Sequence, residues 1–83
     1  MKDQIIIYSA TWCGFCKMAK NYLDSMKITY TDLDVEASLD NANSAVAKSG
    51  QRGIPVIDIA GEIIVGFDKP KIDSALKSHG LLA

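Results

Sequence analysis

The stretch Ser9-Ala10-Thr11-Trp12-Cys13-Gly14-Phe15-Cys16-Lys17, "SATWCGFCK", holds both cysteines of the 83-residue chain, two residues apart. Before it, Gln4 to Ser9 is an apolar, β-branched run bounded by small polar residues, the pattern of a buried strand. After it the period changes. Phe15, Met18, Ala19, Tyr22, Leu23 and Met26 recur at the spacing of an amphipathic helix, with Lys17 and Lys20 off the stripe. The pair therefore sits where a strand turns into a helix. Three uses of such a pair need weighing: a metal clip, a structural staple and a working dithiol.

A thiol at a helix N-terminus faces unpaired backbone N–H groups and the positive end of the helix dipole, and both favour thiolate. Such sites bring a cysteine pKa from about 8.5 down to between about 3.5 and 7.5. Cys13 lies at the tip of the turn, within reach of a substrate, and Cys16 lies one helical turn further in, on the partly buried side. That placement gives Cys13 the attack on a disulfide and Cys16 the resolution of the mixed disulfide. Lys17 either adds positive charge nearby or is a plain solvated helix residue. A closed zinc site needs about four ligands. Two cysteines and the single His79, on the expected inner stripe of the last helix, fall short of that. A staple across two intervening residues removes little chain entropy. The working dithiol is the best of the three.

Downstream, Thr29 to Val35, "TYTDLDV", alternates polar and apolar residues as a partly exposed second strand does. Ser38 or Asp40 can cap a second helix with Leu39, Ala42, Val46 and Ala47 facing inward, and Gly50 ends it. "IPVIDIA" and "EIIVGF" form a hairpin around Ala60-Gly61. Asp68-Lys69-Pro70 opens a last helix whose buried face is Ile72, Ala75, Leu76 and His79, and Gly80 stops it. The order is β-α-β-α-β-β-α. A strand-helix-strand start needs a parallel pair, and the late hairpin adds antiparallel strands. The expected α/β fold is a four-stranded mixed sheet with three helices on its faces, the thioredoxin-like arrangement in its smallest form, as one domain over 1–83.

Apolar residues make up 48% of the chain and the net charge is −1, with acids and bases interspersed. That balance leaves no basic footprint for nucleic acid or an anionic membrane. The longest apolar runs are far too short to span a bilayer. Met1-Lys2-Asp3-Gln4 leads straight into the first strand without a signal-peptide cleavage pattern. The expectation is a cytoplasmic monomer, a setting in which a CxxC pair is more often catalytic or metal-binding than structural.

With this order and a CxxC at this junction, nearly the whole chain resembles a glutaredoxin. Gly53-Ile54-Pro55 resembles the Thr-Val-Pro element of that family, whose proline is cis and faces the active-site cysteines. Val65-Gly66-Phe67-Asp68 resembles the Gly-Gly-Cys-Asp region that holds the glutamyl end of glutathione. The run "SGQRGIPVIDIAGEIIVGFDKPKI" is most similar to small bacterial and archaeal glutaredoxin-like proteins of the YruB type. The resemblance implies that Ile54, beside a cis Pro55, pairs through its main chain with an extended thiol substrate. It implies that the N–H groups of Gly66, Phe67 and Asp68 bind a carboxylate, a role compatible with Asp68 capping the helix. Arg52, the only arginine, either takes the glycyl carboxylate of glutathione in its fork of donors or is a solvated loop residue.

The motif also departs from the family pattern. Gly14-Phe15 replaces the usual Pro-Tyr between the cysteines, and Trp12 resembles the tryptophan before the thioredoxin dithiol. Ser9-Ala10-Thr11 stands where a lysine is common, Val65 replaces a glycine, and Ile7 stands where thioredoxins bury an aspartate. Gly66-Phe67 resembles the glutaredoxin-like reductants of ribonucleotide reductase, which take electrons from thioredoxin reductase. The expected activity is reduction of protein or low-molecular-weight disulfides through Cys13 and Cys16, with no bound cofactor. Trp12 and Phe15 flank the thiol, and glutathione or a thioredoxin-reductase-type flavoprotein supplies electrons. The competing reading is an iron–sulfur carrier, a dimer bridged by a [2Fe-2S] cluster through Cys13 and glutathione.

Overall fold

β1 (Ile5–Ser9) runs through the middle of a mixed sheet, a position its unbroken apolar sequence suits because both of its faces are covered. A computed structural model describes residues 4–81. Beyond β1 the elements are α1 (Gly14–Ser25), β2 (Thr31–Asp34), α2 (Leu39–Ser49), β3 (Val56–Ile59), β4 (Glu62–Val65) and α3 (Lys69–Ser78). The strand order is β2-β1-β3-β4. β1 is parallel to β2, with Ile6 opposite Thr31 and Ser9 opposite Asp34. It is antiparallel to β3, with Ile5 opposite Ile59 and Tyr8 opposite Val56. β3 turns back into β4 through Ala60 and Gly61, both at positive φ (52° and 98°), the backbone that a two-residue hairpin requires. The expected fold is present.

Side chains alternate across the strands and divide the core in two. Ile5, Ile7, Ile57, Ile59 and Ile64 meet Ala19 and Leu23 of α1 and Ile72, Ala75 and Leu76 of α3. On the other face Tyr8 and Val56 meet Ala45 of α2, with Ile6, Leu33 and Ile63 packed around them. The helix ends follow local chemistry. Ser38 caps α2 and Gly50 ends it at φ 73°, while the Asp68 carboxylate accepts the Lys71 N–H at 3.3 Å and Pro70 sits in the first turn of α3. Among the described residues, no helix is long and apolar enough to cross a membrane.

Three expected faces are corrected. The fully buried line of α1 is Cys16, Ala19 and Leu23, with Tyr22 and Met26 packed beside it. Phe15 and Met18 each precede a buried position by one residue, about 100° of helix rotation, and face solvent. On α2, Leu39, Val46 and Ala47 point outward and only Ala45 is buried. Polar tethers set that helix's phase: Asn41 Nδ2 donates to the Asp34 carbonyl at 3.0 Å, and Lys48 Nζ lies 2.7 Å from Asp58 Oδ2. A helix whose apolar residues are mostly alanines and valines has too little contrast between its sides to override such contacts. His79 is not on the buried face of α3. It is the exposed C-cap, with Nε2 3.5 Å from Glu62 Oε1.

Candidate active site

Cys13 closes a turn and opens a helix at once. Its N–H donates to the Ala10 carbonyl at 3.1 Å, and its own carbonyl accepts the Lys17 N–H at 3.2 Å. In the N-cap position its Sγ accepts the backbone N–H of Cys16 at 3.1 Å. A cysteine thus fills the role that serine or aspartate usually takes, satisfying an otherwise unpaired amide with sulfur. The two sulfurs are joined as a disulfide, with the Cα atoms 5.2 Å apart. Cys13 is 8% exposed and Cys16 is 0% exposed. The order of accessibility is as expected, but Cys13 is more enclosed than a turn tip suggests. Ala10, Val35 and Ile54 pack around the pair.

Ile54 reaches this cluster from the loop before β3. The Ile54–Pro55 peptide bond is cis, as the family resemblance implies, and Pro55 itself is fully buried. Among the described residues the main-chain N–H and carbonyl of Ile54 form no hydrogen bond, so both are open to an extended partner. The approach to Ile54 is braced by Gln51, whose side chain bonds both the N–H and the carbonyl of Gly53. A groove of about 170 Å³ adjoins Ile54, with Val35, Ala45 and Val46 on its apolar side and Arg52 in its lining. Arg52 is exposed and has no ion pair among the described residues. The Pro55 carbonyl accepts the Gly66 N–H at 2.8 Å, which ties the third motif to the second and, contrary to expectation, removes that N–H from the carboxylate site.

The remaining expected residues divide. Trp12, Phe15 and Met18 are 68%, 64% and 49% exposed, an apolar rim beginning next to Cys13. Indole Nε1 of Trp12 donates to Glu36 Oε2 at 2.7 Å. Phe67 turns to the main core, its ring edge-on to Tyr22 with centroids 5.9 Å apart, and leaves only its backbone for a ligand. The Asp68 carboxylate is engaged as the α3 cap. Val35, Glu36 and Gln51 belong to the site and were not legible as such. Nothing in their local sequence marks them as site residues, and only contact across the fold distinguishes them.

A model of the glutaredoxin family matches residues 5–64. The chain belongs to the glutaredoxin family. It is 41% identical over 73 residues to a glutaredoxin-like 8.6 kDa protein in the rubredoxin operon of Clostridium pasteurianum, spanning 88% of this chain and 97% of the relative. The crystal structure of the thioredoxin-like protein BC3987 superposes with a TM-score of 0.81 at 25% identity, covering 87% of this chain and 99% of that one. The glutaredoxin of Archaeoglobus fulgidus superposes with a TM-score of 0.82 at 14% identity, covering 90% and 87%, a likeness of fold alone. This glutaredoxin thus carries its Cys13–Cys16 pair at the strand-to-helix junction of a thioredoxin fold.

Proposed function

We propose that this glutaredoxin is a thiol–disulfide oxidoreductase that reduces protein or low-molecular-weight disulfides by a dithiol cycle. The observation that carries the reading is the Cys16 N–H aimed at Cys13 Sγ, with Cys16 sealed beneath it. In the reduced protein that N–H and the start of α1 favour negative charge on Cys13 sulfur. The Cys13 thiolate attacks one sulfur of the target disulfide, forming a mixed disulfide and releasing the other sulfur as a thiolate. Cys16, after losing its proton, attacks Cys13 sulfur, expels the second target thiolate and forms the Cys13–Cys16 bond. The target gains two electrons and two protons, and the dithiol is oxidised to the disulfide.

The open main chain of Ile54 supports docking of an extended segment beside the sulfurs. The apolar rim of Trp12, Phe15 and Met18 supports a protein as that partner, since an apolar surface poorly repays desolvation of a small charged peptide. By the same argument a thioredoxin-reductase-type flavoprotein is the favoured electron donor, with glutathione the weaker one. The protein works as a cytoplasmic monomer in this reading. The pairing of Cys13 with Cys16 favours dithiol chemistry over the cluster-bridged dimer, which would take Cys13 sulfur as a ligand. The test is reduction of the Cys13–Cys16 disulfide by glutathione and by the flavoprotein, followed by turnover of a protein disulfide. A brown preparation with cluster absorbance and no disulfide turnover would overturn the proposal.

A further inference from the structure

Trp12 is the only tryptophan of the chain, and its exposed indole does not hang free. The Nε1–H bond to Glu36 ties it to the loop after β2. That loop is itself pinned. The Val35 N–H donates to the Ser9 carbonyl at 2.9 Å, and the Glu36 N–H donates to Asp34 Oδ1 at 2.8 Å. Val35 packs against the Cys13–Cys16 cluster and lines the groove beside Ile54. The indole therefore runs from the residue before Cys13 to the residue after Val35, bridging two sides of the dithiol. An untethered side chain this exposed exchanges rotamers, and binding a partner against it must then order it. The bond to Glu36 performs that ordering in advance.

We propose that Glu36 is a positioning residue for disulfide exchange: it holds the Trp12 indole as a preset wall beside Cys13 and so sets affinity for protein disulfides. It touches neither sulfur. With Nε1–H already satisfied, the wall presents an apolar ring face, which suits targets carrying an apolar side chain next to the cystine. The proposal rests on the dithiol reading above.

Glu36→Ala and Glu36→Gln separate the bond from the charge, because the glutamine oxygen still accepts from the indole. Insulin serves as the protein disulfide, bis(2-hydroxyethyl) disulfide as the small one, and dithiothreitol as the reductant for both. Glu36→Ala should raise KM for insulin about 3- to 10-fold, the effect of ordering one side chain on binding, with kcat little changed. KM for the small disulfide should move less. Fluorescence anisotropy of Trp12 should fall in Glu36→Ala, and Glu36→Gln should restore both anisotropy and KM. An unchanged insulin KM, an equal rise for both disulfides, or a Glu36→Gln variant that behaves like Glu36→Ala would overturn the proposal. Failure of the wild-type protein to reduce either disulfide would instead overturn the dithiol reading, and this proposal with it.

Discussion

The backbone N–H of Cys16 lies 3.1 Å from the Sγ of Cys13, so in the proposed cycle the resolving residue also stabilises the attacking one. Burial separates the two further, because Cys16 has no accessible surface while Cys13 keeps a small part of its own.

The two cysteines should therefore fail differently. Cys13→Ser should abolish disulfide reduction, whereas Cys16→Ser should accumulate a mixed disulfide visible as a mass increase. Brief treatment of the reduced protein with iodoacetamide near neutral pH should label Cys13 first. Faster labelling of Cys16 would refute the assignment.

The proposed choice of electron donor rests on the surface around the pair. Arg52 is unpaired among the described residues and offers one charge-assisted contact to a glutathione carboxylate, worth roughly 1.5–3 kcal/mol. The Phe67 ring is committed to Tyr22 and the Asp68 carboxylate to its cap, so the opposite end of glutathione finds backbone only. Steady-state turnover should be higher with the flavoprotein reductase than with glutathione. Efficient glutathione-dependent turnover that collapses in Arg52→Ala, with none from the reductase, would reverse the choice.

Stability should fall on the alkaline side. The hydrogen bond to Asp73, then burial, holds the Tyr22 phenol above its ordinary 10.0, and burial followed by Asp24 does the same for Tyr30. Burial pulls Lys48 down, but its bonds to Asp58 and Tyr8 outweigh that and leave it above 10.5. All three groups hold their protons more tightly when folded. Their contribution is complete below about pH 10 and is lost as pH climbs through the raised values. Urea midpoints from about pH 8 to about pH 11 should show the decline, and Tyr22→Phe should flatten it. A midpoint that rises with pH over that range would contradict the assignment.

The Lys48–Asp58 pair anchors α2 where apolar burial is thin. Asp58 Oδ2 takes the ammonium at 2.7 Å, its Oδ1 accepts the Gly61 N–H at 2.8 Å, and Lys48 lies 5.0 Å from the centre of the Tyr8 ring. Asp58→Ala removes an exposed ion pair and an exposed turn hydrogen bond and should destabilise the fold by about 0.5–1.5 kcal/mol in urea titrations. Asp58→Asn keeps the acceptor for Gly61 and should lose less. Equal losses would show that the turn contact contributes nothing.

The order of elements was legible because its signals are local. The change of period around Cys13 and Cys16, the caps at Ser38 and Asp68 and the stops at Gly50 and Gly80 each act over a few residues, and each appears in the fold. The second strand is shorter than its sequence alternation. β2 is Thr31–Asp34, within the expected Thr29 to Val35, because an edge strand pairs on one side only and alternation continues past the last ladder bond.

By itself the sequence determined the fold class, the dithiol at a helix N-terminus and the loop that carries Ile54 and Pro55. Only the tertiary structure decided which way the apolar side chains face. Phe15 and Met18 fit a helical stripe as well as Cys16, Ala19 and Leu23 do, and nothing local prefers either phase. The sheet settles it by taking Ala19 and Leu23 into the core, while Ala10, Val35 and Ile54 close around Cys16, which leaves Phe15 and Met18 outside as part of the rim. The same holds for Trp12 and Glu36. They lie 24 residues apart in sequence, and the parallel pairing of β1 with β2 brings them within a hydrogen bond.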